Sequence, residues 1–345
     1  GVSRLKAGQS NCRYNPGMEK PLVLVSHAPP DEIRDALAKH IGDEASVRFL
    51  PDLSGPERDT ALRSARAVIT YHPIRDLGID AIALLDNCQL IQCLTAGIDY
   101  LPLSEIPPHI PVAYNAGAYA EPMSEHVVAM ALAASKRLTV EHNNMRAGDF
   151  NQFLPTKKIR GATCGVLGFG ETGREVARLM RDLGMRIEAL NRSGTTDEEV
   201  DFIGKLDDLD RVMAAADVLV ITLALTRNTD RLIRSEHLDR LKPDAVLVNV
   251  ARGEIVDEDD LYRHLIENPS FTACLEAWWI EPVRHGKFET KHSFLDLPNV
   301  IASPHNSAMT DGALVVAAKR GAENVLRMLR GEGARFLAGD DVRML

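Results

Sequence analysis

Short apolar runs alternate with amphipathic helical patterns over most of this chain, starting near residue 21. In the first part these runs predict strands over residues 22–26, 47–50, 67–70 and 90–94, with a helix over residues 31–40. Strands that alternate with helices in this way are typical of parallel sheets. This part therefore predicts a small α/β domain.

A second series with the same alternation begins at residue 162. Its strands are predicted over residues 162–168, 186–190, 218–223, 245–250, 272–277 and 300–302, and its first helix over residues 172–183. Longer helical patterns cover residues 121–137 and about 310–329. We predict an α/β protein with a Rossmann-like, doubly wound parallel sheet and a smaller flavodoxin-like domain.

The predicted domain boundaries follow from these two series. We place a dinucleotide-binding domain at residues 121–305 and a substrate domain at residues 21–120 together with 306–345, because the last helix is long enough to return to the first domain. Residues 1–20 are expected to be a tail that is disordered or was added for expression.

Composition excludes several classes of protein. The 345 residues are 45% hydrophobic, enough for two cores, but no apolar run approaches the roughly 18 residues of a membrane span. A net charge of -9 without a basic stripe argues against nucleic acid. The five cysteines form no Cys-x-x-Cys pair, so we expect no metal site, no disulfide framework and a cytoplasmic location.

A glycine fingerprint, Gly168-x-Gly170-x-x-Gly173, follows a predicted strand and opens a predicted helix. Glycines let the turn close and let a pyrophosphate approach the backbone, while the helix N-terminus offers free N–H groups. We predict dinucleotide binding here, with Thr172 and Thr222 as further cofactor contacts. The alternative is a tight strand-to-helix turn that binds nothing.

The next predicted strand ends in Asn191-Arg192-Ser193, about 20 residues past the fingerprint, where NAD enzymes usually carry an acid for the ribose hydroxyl. Without that carboxylate a 2′-phosphate is not repelled, and Arg192 can bind it. We predict NADP(H) as the preferred cofactor and NAD(H) as the alternative. Arg192 could instead stack on adenine or face water.

The candidate catalytic residues follow later strands. Arg252 has a planar guanidinium that matches a carboxylate. Glu281 and His305 each lie beside a proline near a strand end, and a carboxylate that binds an imidazole raises the histidine pKa. Each residue alone is more often structural or solvated. Together they predict proton transfer on a substrate that carries a carboxylate.

From about residue 23 to residue 329 the chain resembles the D-isomer-specific 2-hydroxyacid dehydrogenase family. The matching segments are Thr95-Ala96-Gly97-Ile98-Asp99, Ser124-Glu125-His126, the glycine fingerprint, Leu225-Thr226, residues 249–257, Glu281-Pro282 and Ser303-Pro304-His305. Their order and combination are specific to this family.

The resemblance implies a role for each candidate. Arg252 would hold the substrate carboxylate and 2-oxygen, His305 would be the acid and base, and Glu281 would support His305. Backbone amides of Ala96 and Gly97 would bind the substrate carboxylate. The family also implies a homodimer, formed through the segment that contains residues 121–137.

Some positions depart from the family pattern. Glu276, which we count among the cofactor-binding residues, stands where the family commonly has an aspartate for the nicotinamide carboxamide, and its extra methylene puts that role in question. Core packing is expected for at least one of Trp278 and Trp279. The basic loop over residues 284–292 is expected to be a solvated insertion.

The leading hypothesis is therefore an NADP(H)-preferring reductase of small 2-keto acids such as glyoxylate or hydroxypyruvate, giving D-hydroxy acids. Its partners would be that small acid and a second copy of the chain. A nucleotide-sensing, corepressor-like binding protein and phosphonate-type oxidation remain alternatives. Formate oxidation is disfavoured, because that branch of the family carries glutamine where this chain has Glu281.

Overall fold

The computed structural model describes residues 20–339. They form two compact units, one of residues 20–115 and 314–339 and the other of residues 116–313. The expected tail lies, apart from residue 20, outside the described residues. Within residues 20–339 no helix combines the length and the apolar character needed to cross a membrane.

The smaller unit is built on a five-stranded parallel sheet. Its strands are β1 (Leu22–Val25), β2 (Ser46–Phe49), β3 (Ala65–Thr70), β4 (Leu90–Cys93) and β5 (Val112–Ala113). Its first helices are α1 (Asp31–Ile41), α2 (Gly55–Ser64), α3 (Pro73–Leu77) and α4 (Ile79–Ile82). The strand order β2-β1-β3-β4-β5 is the flavodoxin-like order, so the predicted class of this domain is confirmed.

The larger unit contains a seven-stranded parallel sheet. Its strands are β6 (Thr163–Leu167), β7 (Arg186–Leu190), β8 (Phe202–Gly204), β9 (Val218–Ile221), β10 (Val246–Asn249), β11 (Thr272–Leu275) and β12 (Val300–Ala302). The order is β12-β11-β10-β9-β6-β7-β8, which confirms the predicted Rossmann-like fold. The order reverses between β6 and β9, where such sheets bind dinucleotides at the carboxyl ends of the strands.

Helices cover the larger sheet. They are α5 (Ala120–Ser135), α6 (Leu138–Arg146), α7 (Glu171–Asp182), α8 (Leu209–Ala215), α9 (Ser235–Leu238), α10 (Glu258–Glu267) and α11 (Pro282–His285). The alanine-rich α5 buries Val127, Met130 and Ala131 in the same core as Val176 of α7. One face of α5 is therefore already covered by its own unit.

The last helix, α12 (Ala313–Leu329), packs on the sheet of the smaller unit. Ala318 and Ala322 are fully buried in the core that also contains β1. A β-carbon on Gly321 would lie 2.6 Å from Leu94 Cδ2, so this glycine lets the helix approach β4 closely. The helix thus packs with the first part of the chain.

Candidate active site

The glycine turn joins β6 to α7, as predicted from its sequence. Gly168 has φ of +100°, and a β-carbon there would lie 2.7 Å from the backbone N of Leu223. A β-carbon on Gly173 would lie 2.3 Å from the Gly168 carbonyl oxygen. Both glycines are therefore required by the protein's own backbone.

Gly170 differs from the other two glycines. Its φ of -93° suits any residue, and a β-carbon there would meet no atom within 4 Å. This open space at the N-terminus of α7 fits the pyrophosphate of a dinucleotide. Thr172 lies half-buried in the first turn of α7, whereas the Thr222 hydroxyl donates to the Gly168 carbonyl at 2.7 Å and so holds the turn in shape.

The segment after β7 folds into a compact loop around Asn191. The Asn191 amide donates to the Thr195 carbonyl at 2.8 Å, and its oxygen accepts the backbone N–H of Gly194 at 2.7 Å and the Ser193 hydroxyl at 3.1 Å. Arg192 is exposed and has no hydrogen bond or ion pair with residues 20–339. The guanidinium is thus available to an external anion, while Asn191 and Ser193 bond within the loop.

Arg252 leaves the end of β10 on a backbone that its neighbours fix. The buried Asn249 side chain accepts the Ala251 N–H at 3.0 Å and donates to the Arg252 carbonyl at 2.8 Å. A β-carbon on Gly253 would lie 2.3 Å from the Trp278 carbonyl carbon, so only glycine allows this close approach. The sequence did not mark Asn249 as a positioning residue, although it lies three positions before Arg252.

Glu281 and His305 form a direct pair. His305 Nδ1 lies 2.8 Å from both Glu281 Oε1 and Oε2. Glu281 is buried, at 8% exposure, and its Oε1 also accepts the Trp278 backbone N–H at 2.7 Å, whereas the His305 side chain is 35% exposed. With Nδ1 occupied, Nε2 is the nitrogen left to exchange a proton with a substrate.

Nearby charges set the protonation of this pair. Burial lowers the pKa of His305, but the bond to Glu281 and the charges of Glu276 and Glu281 outweigh it, so the pKa lies above its usual 6.5. Burial raises the pKa of Glu281, yet the bond to His305 outweighs burial and the net shift is downward. The positive charge of Arg252 lowers the pKa of both groups.

The backbone around His305 is held at several points. His305 itself has φ of +50°, the left-handed region that histidine tolerates better than most residues. Two residues earlier, Ser303 donates its N–H to the Leu275 carbonyl at 3.0 Å and accepts the Trp278 indole N–H at 2.9 Å. Its hydroxyl lies 3.0 Å from His126 Nε2, which ties α5 to this segment.

Glu276 is fully buried, but only one of its oxygens is occupied. Oε1 accepts the backbone N–H of Ser307 at 2.8 Å, while Oε2 has no hydrogen-bond partner within the described chain. A buried acceptor without a partner fits a donor group of a bound cofactor. The longer side chain therefore still leaves one oxygen for such a donor.

The two tryptophans belong to the core. Trp278 is 4% exposed, and Trp279 stacks on Phe294 and donates its indole N–H to the Val256 carbonyl at 2.8 Å. The expectation that at least one packs in the core is confirmed.

The basic loop that follows them is only partly a solvated insertion. Its tip over residues 285–289 is exposed. However, Arg284 pairs with Glu254 at 2.5 Å and His292 with Asp259 at 2.7 Å. The loop is thus anchored at both ends, which corrects the prediction.

Ala96 and Gly97 follow β4 at the carboxyl edge of the smaller sheet, and both are half-buried. Polar groups that the sequence did not single out lie along the same edge. The Ser26 and Thr95 hydroxyls and both ring nitrogens of His27 are buried without a hydrogen-bond partner among residues 20–339. Ser26 and His27 directly follow β1, which is the signal that could have identified them.

A dinucleotide turn and a carboxylate-paired histidine within one Rossmann-like unit define an oxidoreductase that uses a nicotinamide cofactor. The family model described as "D-isomer specific 2-hydroxyacid dehydrogenase, NAD binding domain" matches residues 128–307. The chain belongs to this family of NAD(P)-dependent 2-hydroxyacid dehydrogenases, as its motifs predicted.

Individual relatives are similar to this protein over nearly the whole chain. The human glyoxylate reductase/hydroxypyruvate reductase is 27% identical over 322 residues, which cover 90% of this chain and 95% of that protein. A glycerate dehydrogenase related protein from Thermoplasma acidophilum is 28% identical, with a TM-score of 0.65 over 89% of this chain and 99% of that one. A family member from Xanthobacter autotrophicus Py2, solved with NADPH and MES, shares the fold at 22% identity, with a TM-score of 0.76 over 93% of this chain and 98% of that one.

Proposed function

We propose that this protein is an NADP(H)-preferring reductase of small 2-keto acids, with glyoxylate or hydroxypyruvate as substrate and a D-hydroxy acid as product where the product is chiral. The observation that carries the proposal is the His305–Glu281 pair in the unit that contains the glycine turn. The name of the human relative supports this substrate class.

In this proposal the substrate carbonyl is polarised by Arg252 and protonated by His305. The Arg252 guanidinium binds the substrate carboxylate and 2-oxygen, and it stabilises the negative charge that develops on that oxygen. His305 Nε2 gives its proton to the same oxygen, and the raised pKa keeps more of the imidazole protonated near neutral pH. When bound, NADPH supplies the hydride that reduces the carbonyl carbon.

The other predicted site residues would bind the substrate or the cofactor and take no part in proton transfer. Backbone amides of Ala96 and Gly97 would take the substrate carboxylate. The free Oε2 of Glu276 would accept from the nicotinamide carboxamide, since it is buried and has no partner within the described chain. Gly168, Gly170 and Gly173 would admit the pyrophosphate, with the amides of the first turn of α7 facing it.

The proposed activity can be tested by following NADPH and NADH oxidation with glyoxylate, hydroxypyruvate, pyruvate and phenylpyruvate. We expect fast turnover with NADPH on glyoxylate or hydroxypyruvate. If NADPH binds but is consumed very slowly with every acid, the reductase proposal is wrong and a nucleotide-sensing protein becomes the better explanation.

The preference for NADP(H) rests on Arg192. Replacing Arg192 with glutamine should weaken catalytic efficiency with NADPH about ten- to a hundredfold, since a charge-assisted hydrogen bond contributes roughly 1.5 to 3 kcal/mol. Catalytic efficiency with NADH should stay within about twofold of the wild type, because NADH has no 2′-phosphate for Arg192 to bind. An unchanged ratio of the two efficiencies in the Arg192→Gln variant would show that Arg192 does not select the cofactor.

We also propose a homodimer, formed through the segment that contains residues 121–137 and the chain that follows it. One face of α5 packs on its own unit, and several large apolar side chains are exposed just after it, over residues 138–154. Phe150 is 71% exposed and Phe153 is 84% exposed, and Leu138 and Met145 are also more than half exposed. Large exposed apolar side chains that are this close along the chain are typical of an interaction surface.

The double replacement of Phe150 and Phe153 with serine should weaken self-association at least about tenfold, since large aromatic side chains dominate interface energies. Sedimentation velocity over a range of protein concentrations measures the change. Ile266→Ser, at a 56% exposed position on α10, is the matched control and should leave the dimer intact. A dimer of unchanged affinity in the double variant would place the interface elsewhere.

We propose that the protein is located in the cytoplasm. The described cysteines Cys88, Cys93, Cys164 and Cys274 are all buried free thiols. Burial raises the pKa of each thiol, to about 11 for Cys88 and to about 12 for Cys93 and Cys164, so these thiols stay protonated and unreactive. Free thiols are typical of a reducing compartment.

A further inference from the structure

Lys205 lies beside the loop that follows β7. The residue before it, Gly204, accepts the backbone N–H of Asn191 at 3.0 Å. A β-carbon on Gly194 would lie 3.1 Å from Lys205 Cγ and 3.3 Å from its Cε, so the lysine stem runs along this glycine. Lys205 is exposed, and its ammonium forms no salt bridge with residues 20–339. The loop therefore has a second available cation besides Arg192.

Glycine at position 194 is required for this arrangement. Its φ is +69°, a left-handed conformation that side chains other than glycine rarely adopt. A side chain at this position would also push against the Lys205 stem. The conformation of the loop and the path of the Lys205 side chain therefore both depend on Gly194.

The side chain of Asn191 holds the loop in shape. Its amide spans the turn, donating to the Thr195 carbonyl and accepting from Gly194 and Ser193. An aspartate at this position could accept the same two bonds but could not donate to Thr195. We therefore infer that Asn191 acts as a positioning residue for the loop.

Two carboxylates that follow the loop, those of Asp197 and Glu198, are paired with arginines of α7. An acidic run over residues 197–199 follows the loop and could pair with its cations. Arg174 of α7 instead binds Asp197, with 2.6 Å between Nη1 and Oδ1, and Arg178 binds Glu198, with 2.5 Å between Nη2 and Oε1. These pairs leave Arg192 and Lys205 for an external anion.

We propose that Lys205 is a second cation for the 2′-phosphate of NADP(H), acting together with Arg192 on a loop that Asn191 holds in shape. A phosphate monoester carries about -1.5 to -2 charge at neutral pH, which one arginine does not balance alone. Lysine binds phosphate as a point charge, so the flexible stem along Gly194 suits this task. The inference rests on the proposed preference for NADP(H).

The test is a comparison of equilibrium dissociation constants for NADP⁺ and NAD⁺, measured by titration calorimetry without substrate. Lys205→Gln should weaken NADP⁺ binding about tenfold, as expected for the loss of one charge-assisted contact. NAD⁺ binding should stay within about twofold, because that cofactor has no phosphate at this position. The control Lys39→Gln removes the same charge from exposed Lys39 on α1 and should change neither constant.

The outcomes separate this inference from the proposed function. If Arg192→Gln weakens NADP⁺ binding and Lys205→Gln does not, the cofactor preference stands and the role of Lys205 is wrong. If neither variant changes NADP⁺ binding, the preference itself is wrong. Equal weakening of NADP⁺ and NAD⁺ in Lys205→Gln would indicate a structural role and would also overturn the inference.

The positioning role of Asn191 has its own readout in the cofactor-free protein. Asn191→Ala should speed hydrogen exchange at the amide of Gly194, which loses its acceptor in this variant. NADP⁺ binding should weaken at the same time, because the loop no longer presents Arg192 and Lys205 in one arrangement. Unchanged exchange at Gly194 would show that Asn191 does not hold the loop.

Discussion

Replacing His305 with glutamine is expected to lower kcat for 2-keto acid reduction by about a thousandfold, within the range for loss of a general acid. Glutamine keeps a polar side chain but cannot release a proton near neutral pH. The KM for the keto acid should change by less than about threefold, because Arg252 still binds its carboxylate. Steady-state kinetics with NADPH and glyoxylate or hydroxypyruvate measure both constants.

His292 provides the matched control for this variant. It also pairs with a carboxylate, with 2.7 Å between its Nε2 and Asp259 Oδ1, and it lies in the same unit. His292→Gln should leave kcat within about twofold of the wild type, since this imidazole has no part in the proposed proton transfer. A loss of similar size in both variants would mean that the effect is structural, and the role of His305 would have to be given up.

Strands that form continuous apolar runs of at least four residues could be predicted directly from the sequence. β9 and β10 are continuous apolar runs, apart from Asn249 at the end of β10, and every residue of both is buried. β5 and β8 were missed, because they contain only two and three residues and their pairing depends on a neighbouring strand. Local pattern carries no information about such short pairings.

The positions of Glu281 and His305 could be predicted because the carboxyl ends of parallel strands meet at one edge of a sheet. The backbone groups that orient Glu281 and Glu276 could not be predicted from the sequence. The N–H of Trp278 binds Glu281 and the N–H of Ser307 binds Glu276, and these are backbone donors. Every residue except proline carries such a donor, so only the folded backbone shows which one is used.

The loop after β7 shows a similar limit. The sequence showed that Asn191 stands where NAD enzymes usually carry an acid and that Arg192 adds a cation, because both facts follow from residue type alone. It did not show that the Asn191 amide is used within the loop, because this depends on the positive φ of Gly194. Nor did it indicate Lys205, which reaches the loop only through the pairing of β7 with β8.

The second large effect is expected at Arg252. Arg252→Gln should lower kcat/KM for the keto acid by about a thousandfold, or roughly 4 kcal/mol, because a desolvated charge pair with the substrate carboxylate is lost. Arg252→Lys should recover part of this loss, since it restores the charge but not the two parallel hydrogen bonds. The dissociation constant for NADP⁺ should stay within about twofold in both variants, because Arg252 is proposed to bind only the acid.

The pH dependence of these variants distinguishes a catalytic group from a structural one. In the wild type, reduction needs protonated His305, so kcat should fall as pH rises through a pKa above 6.5. Because Glu281 raises the pKa of His305 and Arg252 lowers it, Glu281→Gln should move this fall to lower pH and Arg252→Gln should move it to higher pH. Merely structural damage would not move the two profiles in opposite directions. If both variants shift the profile the same way, His305 is not the group whose protonation limits the reaction.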